Sequence, residues 1–153
     1  MPSYISELIN DKTIIGACIG ALFSMAGAFV AHGLSVRLES RKIKTSKKEE
    51  LFYNHQTLMV IVGEIDTYNM KSSADISSIA KSLEPKKDEA IRKIKLLTNM
   101  YFNGVDKYYD DLIPQLNNLF WHIRNKGNPG TEEFNSLHER LSSISGKILS
   151  LKW

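Results

Sequence analysis

Hydrophobic positions in this chain follow two different patterns. From residue 13 to residue 36 no Asp, Glu, Lys or Arg interrupts them, over the 24 residues TIIGACIGALFSMAGAFVAHGLSV. From about residue 49 onward they recur every three or four residues with charge in between. The first pattern suits a helix with nonpolar surroundings on every side. The second suits helices with one buried face. At about 1.5 Å per residue, the uncharged run reaches about 36 Å, enough to cross a hydrocarbon core of roughly 30 Å with some tilt. A buried helix of a soluble protein is seldom so long and so free of charge. A cleaved signal peptide is the main rival, with Ala26-Gly27-Ala28 as its small-residue cleavage site. It would begin with a positive segment, whereas Glu7 and Asp11 outweigh Lys12 here.

The uncharged run sorts into two faces. Successive residues turn by about 100°, so Thr13, Ala17, Gly20, Ser24, Gly27, Ala31 and Ser35 form one small-residue stripe, with Ala21 and Ala28 beside it. Ile15, Ile19, Leu22, Phe23, Phe29 and Val30 lie opposite. Lipid solvates the bulky face well, while small residues let helices approach closely. The stripe has two readings: a tight homodimer seam, or the axis-facing side of a higher oligomer that admits water and ions. His32 lies at the edge of the stripe, either tuning a constriction or reaching headgroups at the interface.

Six basic residues between 37 and 48 stand against Glu39 alone. The positive-inside rule therefore places the N-terminus outside and the bulk of the chain in the cytoplasm. Beyond them, Leu51, Leu58 and Ile65, with His55 and Val62 between, mark one helix over 49–70. A short helix should carry Ile76, Ile79, Ala80 and Leu83, capped by Ser72, Ser73 or Asp75 and ended by Pro85. A long helix over about 86–124 should follow, kinked or restarted at Pro114. Lys126-Gly127-Asn128-Pro129-Gly130 reads as a loop, and Thr131 as the next N-cap with Glu132 and Glu133 in the first turn. Phe134, Leu137, Leu141, Ile144, Ile148 and Leu151 form a narrow seam, which either buries in its own bundle or pairs with copies of itself. Trp153 would dock on the bundle or on a neighbour.

These elements predict an all-α fold, one N-terminal transmembrane helix followed by a cytoplasmic helical bundle of about four helices. The expected divisions are a short extracytoplasmic N-terminus at 1–12, the span at 13–36, a basic juxtamembrane helix extension at 37–48 and the bundle at 49–153. Composition changes this picture little. The 153 residues carry a net charge of +3, and a mean hydropathy of −0.23 would suggest a soluble protein. That average blends an uncharged span with a polar domain. A single cysteine, Cys18, excludes an internal disulfide framework and a Cys-based zinc cage.

The search for chemistry yields little. No GxxxxGK[ST] loop occurs, and His32, His55, His122 and His138 are scattered without an HExxH pairing. Ser78-Ile79-Ala80-Lys81 matches SxxK without its companion motifs. His138-Glu139 are neighbours that do not share a helix face. Asp106, Asp110 and Asp111 read as a solvated acidic face, and Lys86-Lys87 as exposed charge. No catalytic group, metal site or cofactor is expected. The suggestive polar feature is a mixture of cations and aromatics: Arg92, Lys93, Lys95 and Lys107 with Tyr101, Tyr108 and Tyr109, then Trp121, His122, Arg124 and Lys126. Of these, Arg92, Lys93, Lys95, Tyr101, Trp121, Arg124 and Lys126 are the candidate ligand-binding residues. Such a mixture can hold a nucleotide or a short single strand by stacking and phosphate contact, or it can be a core with a solvated rim.

The layout IIGACIGALFSMAGAFVAHGLSVRLESRKIK followed by a helical cytoplasmic bundle resembles small membrane effectors of bacterial anti-phage defence systems, those of the Hailong type in particular. Residues 13–36 carry most of the resemblance. In that type a one-span subunit forms an oligomeric ion channel, and a nucleotidyltransferase partner makes DNA-like oligomers that control it. The resemblance implies a non-enzymatic homo-oligomer, taken as a tetramer, in the bacterial inner membrane. Its cytoplasmic domain would gate or inhibit the pore, and the basic-aromatic mixture would become a site for a nucleotide or oligonucleotide signal. Opening would cause abortive infection through lost membrane potential. The alternative is a tethered helical scaffold or adaptor whose span only anchors and dimerises it.

Overall fold

A computed structural model describes residues 12–71, 75–127 and 129–151, with side chains from residue 14 onward. The expected caps Ser72 and Ser73, the loop residue Asn128, the side chain of Thr13 and the docking of Trp153 lie outside the described residues. The chain is helical: α1 Lys12–Met70, α2 Ile76–Tyr101, the single turn α3 Lys107–Asp110, α4 Leu112–Lys126 and α5 Thr131–Leu149. No strand occurs among the described residues. The chain divides into two units, Met1–Ile43 and Lys44–Trp153.

In the first unit α1 runs without a break through four glycines. Every side chain from Ile14 to Ile43 is exposed, the bulky ones included. Nothing among the described residues of the unit covers them.

The second unit is built around a core to which all five helices contribute. The lower half of α1 supplies Leu51, Leu58, Ile61, Val62 and Ile65. From α4 come Leu112, Leu116, Leu119, Phe120 and Ile123. The seam Phe134, Leu137, Leu141, Ile144 and Ile148 of α5 is buried inside this bundle, 4% exposed at most. The first of its two readings therefore holds, and that face is not free to pair with copies. α1 and α5 run antiparallel: Lys48 Nζ donates to the Leu149 and Leu151 carbonyls at 2.8 and 2.9 Å, and Asn69 Nδ2 donates to the Pro129 carbonyl at 3.3 Å. α2 and α4 are antiparallel too, joined by Arg124–Glu84 at 3.1 Å and Lys87–Asn117 at 2.8 Å.

Three local expectations are corrected. Pro85 does not end a helix; it lies inside α2. A proline removes the bond to the carbonyl four residues back, that of Lys81, and costs about 3 kcal/mol in a helix interior. Both Lys81 and Pro85 are exposed, so water can take that carbonyl. Meanwhile Ile76, Ala80, Leu83, Lys87, Ala90, Ile94 and Leu97 keep one continuous inward stripe, and its packing outweighs the lost bond. Gly130, not Thr131, is the N-cap of α5, with extended backbone at φ −68° and ψ 150°. Glu132 and Glu133 do occupy the first turn.

The third correction is the long helix over 86–124, which breaks at residues 102–106. The Phe102 N–H still reaches back to the Thr98 carbonyl at 3.1 Å. Gly104 then turns to φ +91°, and its N–H donates to Asp106 Oδ1 at 3.0 Å. Phe102 and Val105 remain buried on either side, so the turn redirects the chain without giving up core. Pro114 is the third residue of α4, where its missing N–H has no intrahelical partner to lose. No atom lies within 4 Å of the position a Cβ on Gly104 would take, so Gly104→Ala adds only left-handed backbone strain. It is expected to destabilise the protein by about 1 kcal/mol in urea unfolding.

Candidate functional site

The two polar–apolar arrangements expected to matter belong to different units. In the first, the stripe Ala17, Gly20, Ser24, Gly27, Ala28, Ala31 and Ser35 occupies one side of α1, with His32 at its edge. Ser24 and Ser35 lie eleven positions apart on the same side, about three turns. Added side chains at Gly16, Gly20, Gly27 or Gly33 would meet nothing within 4 Å. The opposite side presents Leu22 and Phe29 at 67% and 72% exposure, and Phe23 flanks the stripe at 75%. By length and composition this helix is apolar enough to cross a membrane.

In the second unit the seven candidate ligand-binding residues do not converge on one pocket. Arg92 and Lys95 are exposed on α2, and Lys93 pairs with Glu89 at 2.9 Å. Tyr101 is half-buried at the far end of α2. Trp121 is exposed on α4, with the Lys126 ammonium 5.8 Å from its ring. Arg124 is engaged with Glu84. Because Glu84 faces Arg124, Tyr101 lies about 25 Å of helix rise from that pair.

The other motifs resolve into structure. The Ser78 hydroxyl bonds the Asp75 carbonyl at 3.2 Å, and Lys81 is exposed, so SxxK holds no activated nucleophile. His138 faces Asp66 at 3.7 Å, and His122 faces Glu133 at 3.5 Å. Among the described residues no cluster of three or more His, Cys, Asp or Glu has metal-binding geometry. Lys87, expected at the surface, is buried. Its ammonium lies 2.8 Å from Asn117 Oδ1, 3.1 Å from Asp88 Oδ1 and 4.7 Å from the Phe120 ring centroid. The stripe that carries α2 through Pro85 brings Lys87 inward, and these three partners satisfy its charge.

Sequence reasoning missed the polar centre of the bundle. His55 of α1 is fully buried. Its Nε2 lies 2.8 Å from the Leu141 carbonyl of α5, and its Nδ1 lies 3.0 Å from the Tyr109 hydroxyl of α3. A carbonyl can only accept, so Nε2 carries the proton and Nδ1 accepts from Tyr109. Burial lowers the His55 pKa, which the Leu141 carbonyl partly opposes, and burial raises that of the Tyr109 phenol. Both groups are therefore neutral, and one imidazole ties three helices together. A histidine amid Leu51, Leu58, Val62 and Ile65 was the available signal.

No family model matches the chain, and the comparisons with curated proteins and with solved structures found no match.

Proposed function

We propose that the chain is a homo-oligomeric, single-span inner-membrane effector whose small-residue stripe lines an ion-conducting path, gated through the cytoplasmic bundle. The observation that carries this reading is the stretch of α1 from Ile14 to Val36, uncharged throughout and exposed at every position among the described residues. A plain anchor needs only bulk, whereas this helix gives one whole side to Gly, Ala and Ser. Close packing of those sides in a ring of copies would bring the Ser24 and Ser35 hydroxyls toward a shared axis, where they can hydrate ions. Six cations from 37 to 48 favour a cytoplasmic position for the bundle. The resemblance to Hailong-type effectors gives this channel a role in anti-phage defence, with growth arrest through lost membrane potential. A nucleotide or oligonucleotide signal made by a partner enzyme would then act on the bundle.

The test is planar-bilayer recording of the purified full-length protein, with depolarisation of expressing cells measured in parallel. Discrete currents are expected from the parent and reduced currents from Ser24→Leu and Gly20→Leu. Silence of the parent in both assays overturns the channel reading.

A further inference from the structure

Two further members of the basic-aromatic mixture, Lys107 and Tyr108, belong to a second cluster, whose other members the sequence reading did not connect with them. Arg140, Ser143 and Lys147 lie on one side of α5, at spacings of three and four residues. Lys107 and Tyr108 of α3 meet them across a surface cavity of about 200 Å³. The Lys147 ammonium stands 3.9 Å from the Tyr108 ring centroid and the Lys107 ammonium 5.3 Å from the same centroid. Two cations are thus drawn to one ring, and Arg140 adds a third. Asp111 also lines the cavity, but none of the three cations forms an ion pair among the described residues. Lys93 of α2 and Arg124 of α4, by comparison, have carboxylate partners.

We propose that this cavity binds a phosphate group, held by Lys107, Arg140 and Lys147, with the Ser143 hydroxyl as a neutral donor. Like charges gathered around one ring repel, and an anion between them removes that repulsion while accepting charge-assisted hydrogen bonds. Arg140 supplies the forked geometry that suits a phosphate, and the lysines supply point charge. The cavity has room for a phosphate with a small attached group. The bound anion would clamp α3 to α5. Tyr109 follows Tyr108, and Leu141 follows Arg140, so the clamp would sit one residue from both partners of His55. Occupancy would therefore stiffen the junction that holds α1. The site stands whether or not the span conducts.

The phosphate can come from solution or from a lipid headgroup, and two arms separate these sources. In the first, the full-length protein in phosphatidylcholine nanodiscs is titrated calorimetrically with pyrophosphate and with 5′-AMP. In the second, retention of phosphatidylinositol 4-phosphate from mixed micelles is read by native mass spectrometry. Saturable binding is expected in at least one arm. Arg140→Gln and Lys147→Gln should each weaken it about tenfold, the loss typical of one charge-assisted contact. Lys86→Gln, an exposed cation elsewhere on α2, should leave it unchanged. Binding confined to the lipid arm and dependent on Arg140 assigns the site to headgroups. No saturable binding in either arm, or equal loss in Lys86→Gln, overturns the proposal. Circular dichroism of each variant guards against misfolding, and Lys107→Gln repeats the test from α3.

Discussion

Replacing residues 13–36 with a leucine-rich helix of equal length is expected to reduce the membrane current to the bilayer baseline while the protein still inserts. Leucine is as soluble in lipid as the native Ile and Phe, so insertion does not suffer. What changes is the stripe. Leucines at Ala17, Gly20, Ser24, Gly27, Ala31 and Ser35 push neighbouring helices apart, because close approach depends on the absence of bulk. They also place hydrocarbon where the hydroxyls of Ser24 and Ser35 stood, and an apolar constriction excludes water and ions. The adaptor reading makes the opposite forecast: a Leu-rich span anchors as well as the native one, so any cellular effect persists. Current together with the growth phenotype separates the two. Loss of both with normal insertion supports the channel, and a phenotype retained without current supports the adaptor.

The parts of this molecule legible in its sequence are those that depend on helical periodicity alone. The stripe on α1 needs only the turn of about 100° per residue, and the seam of α5 needs only its alternation of three and four. Both stand where the pattern put them. Helix ends were read less well, because they depend on competition. Pro85 signals a stop, but the inward stripe through Ala80, Leu83 and Lys87 continues across it, and packing wins. The break after Tyr101 had a local cue in Asn103-Gly104, a turn-forming pair hidden among strong helix formers. Lys87 was misread because its partners, Asn117 and Phe120, lie a helix away. The same holds for the cluster at Tyr108: Lys107 and Arg140 are far apart in sequence and meet only after α3 and α5 have packed.

The largest stability loss is expected from His55→Leu. The leucine is of similar bulk and suits the stripe, so the change tests the hydrogen bonds rather than the packing. It leaves the Leu141 carbonyl and the Tyr109 hydroxyl without the partner each has on His55, both deep in the bundle. The Leu141 carbonyl keeps its helical bond inside α5 and loses only a second one, about 0.5–1.5 kcal/mol, while the orphaned Tyr109 hydroxyl costs about 1–3 kcal/mol, so about 2–4 kcal/mol is expected in urea unfolding of the full-length protein in nonionic detergent. Tyr109→Phe orphans only the His55 Nδ1 and should cost about half as much by the same reckoning. The pH dependence supplies an independent signature. Burial holds the folded pKa of His55 below its ordinary value, so below about pH 6.5 the unfolded chain binds the proton more readily. The contribution of His55 is fully present above that pH and is lost as pH falls toward the lowered folded pKa. The slope in that window reaches at most about 1.4 kcal/mol per pH unit. The difference in stability between parent and His55→Leu should therefore be flat from pH 7 to 8 and shrink toward pH 5. A difference that stays constant across the acid range would mean that the folded bundle protonates His55 as readily as the unfolded chain does, and the neutral bridge between Tyr109 and Leu141 would have to be abandoned.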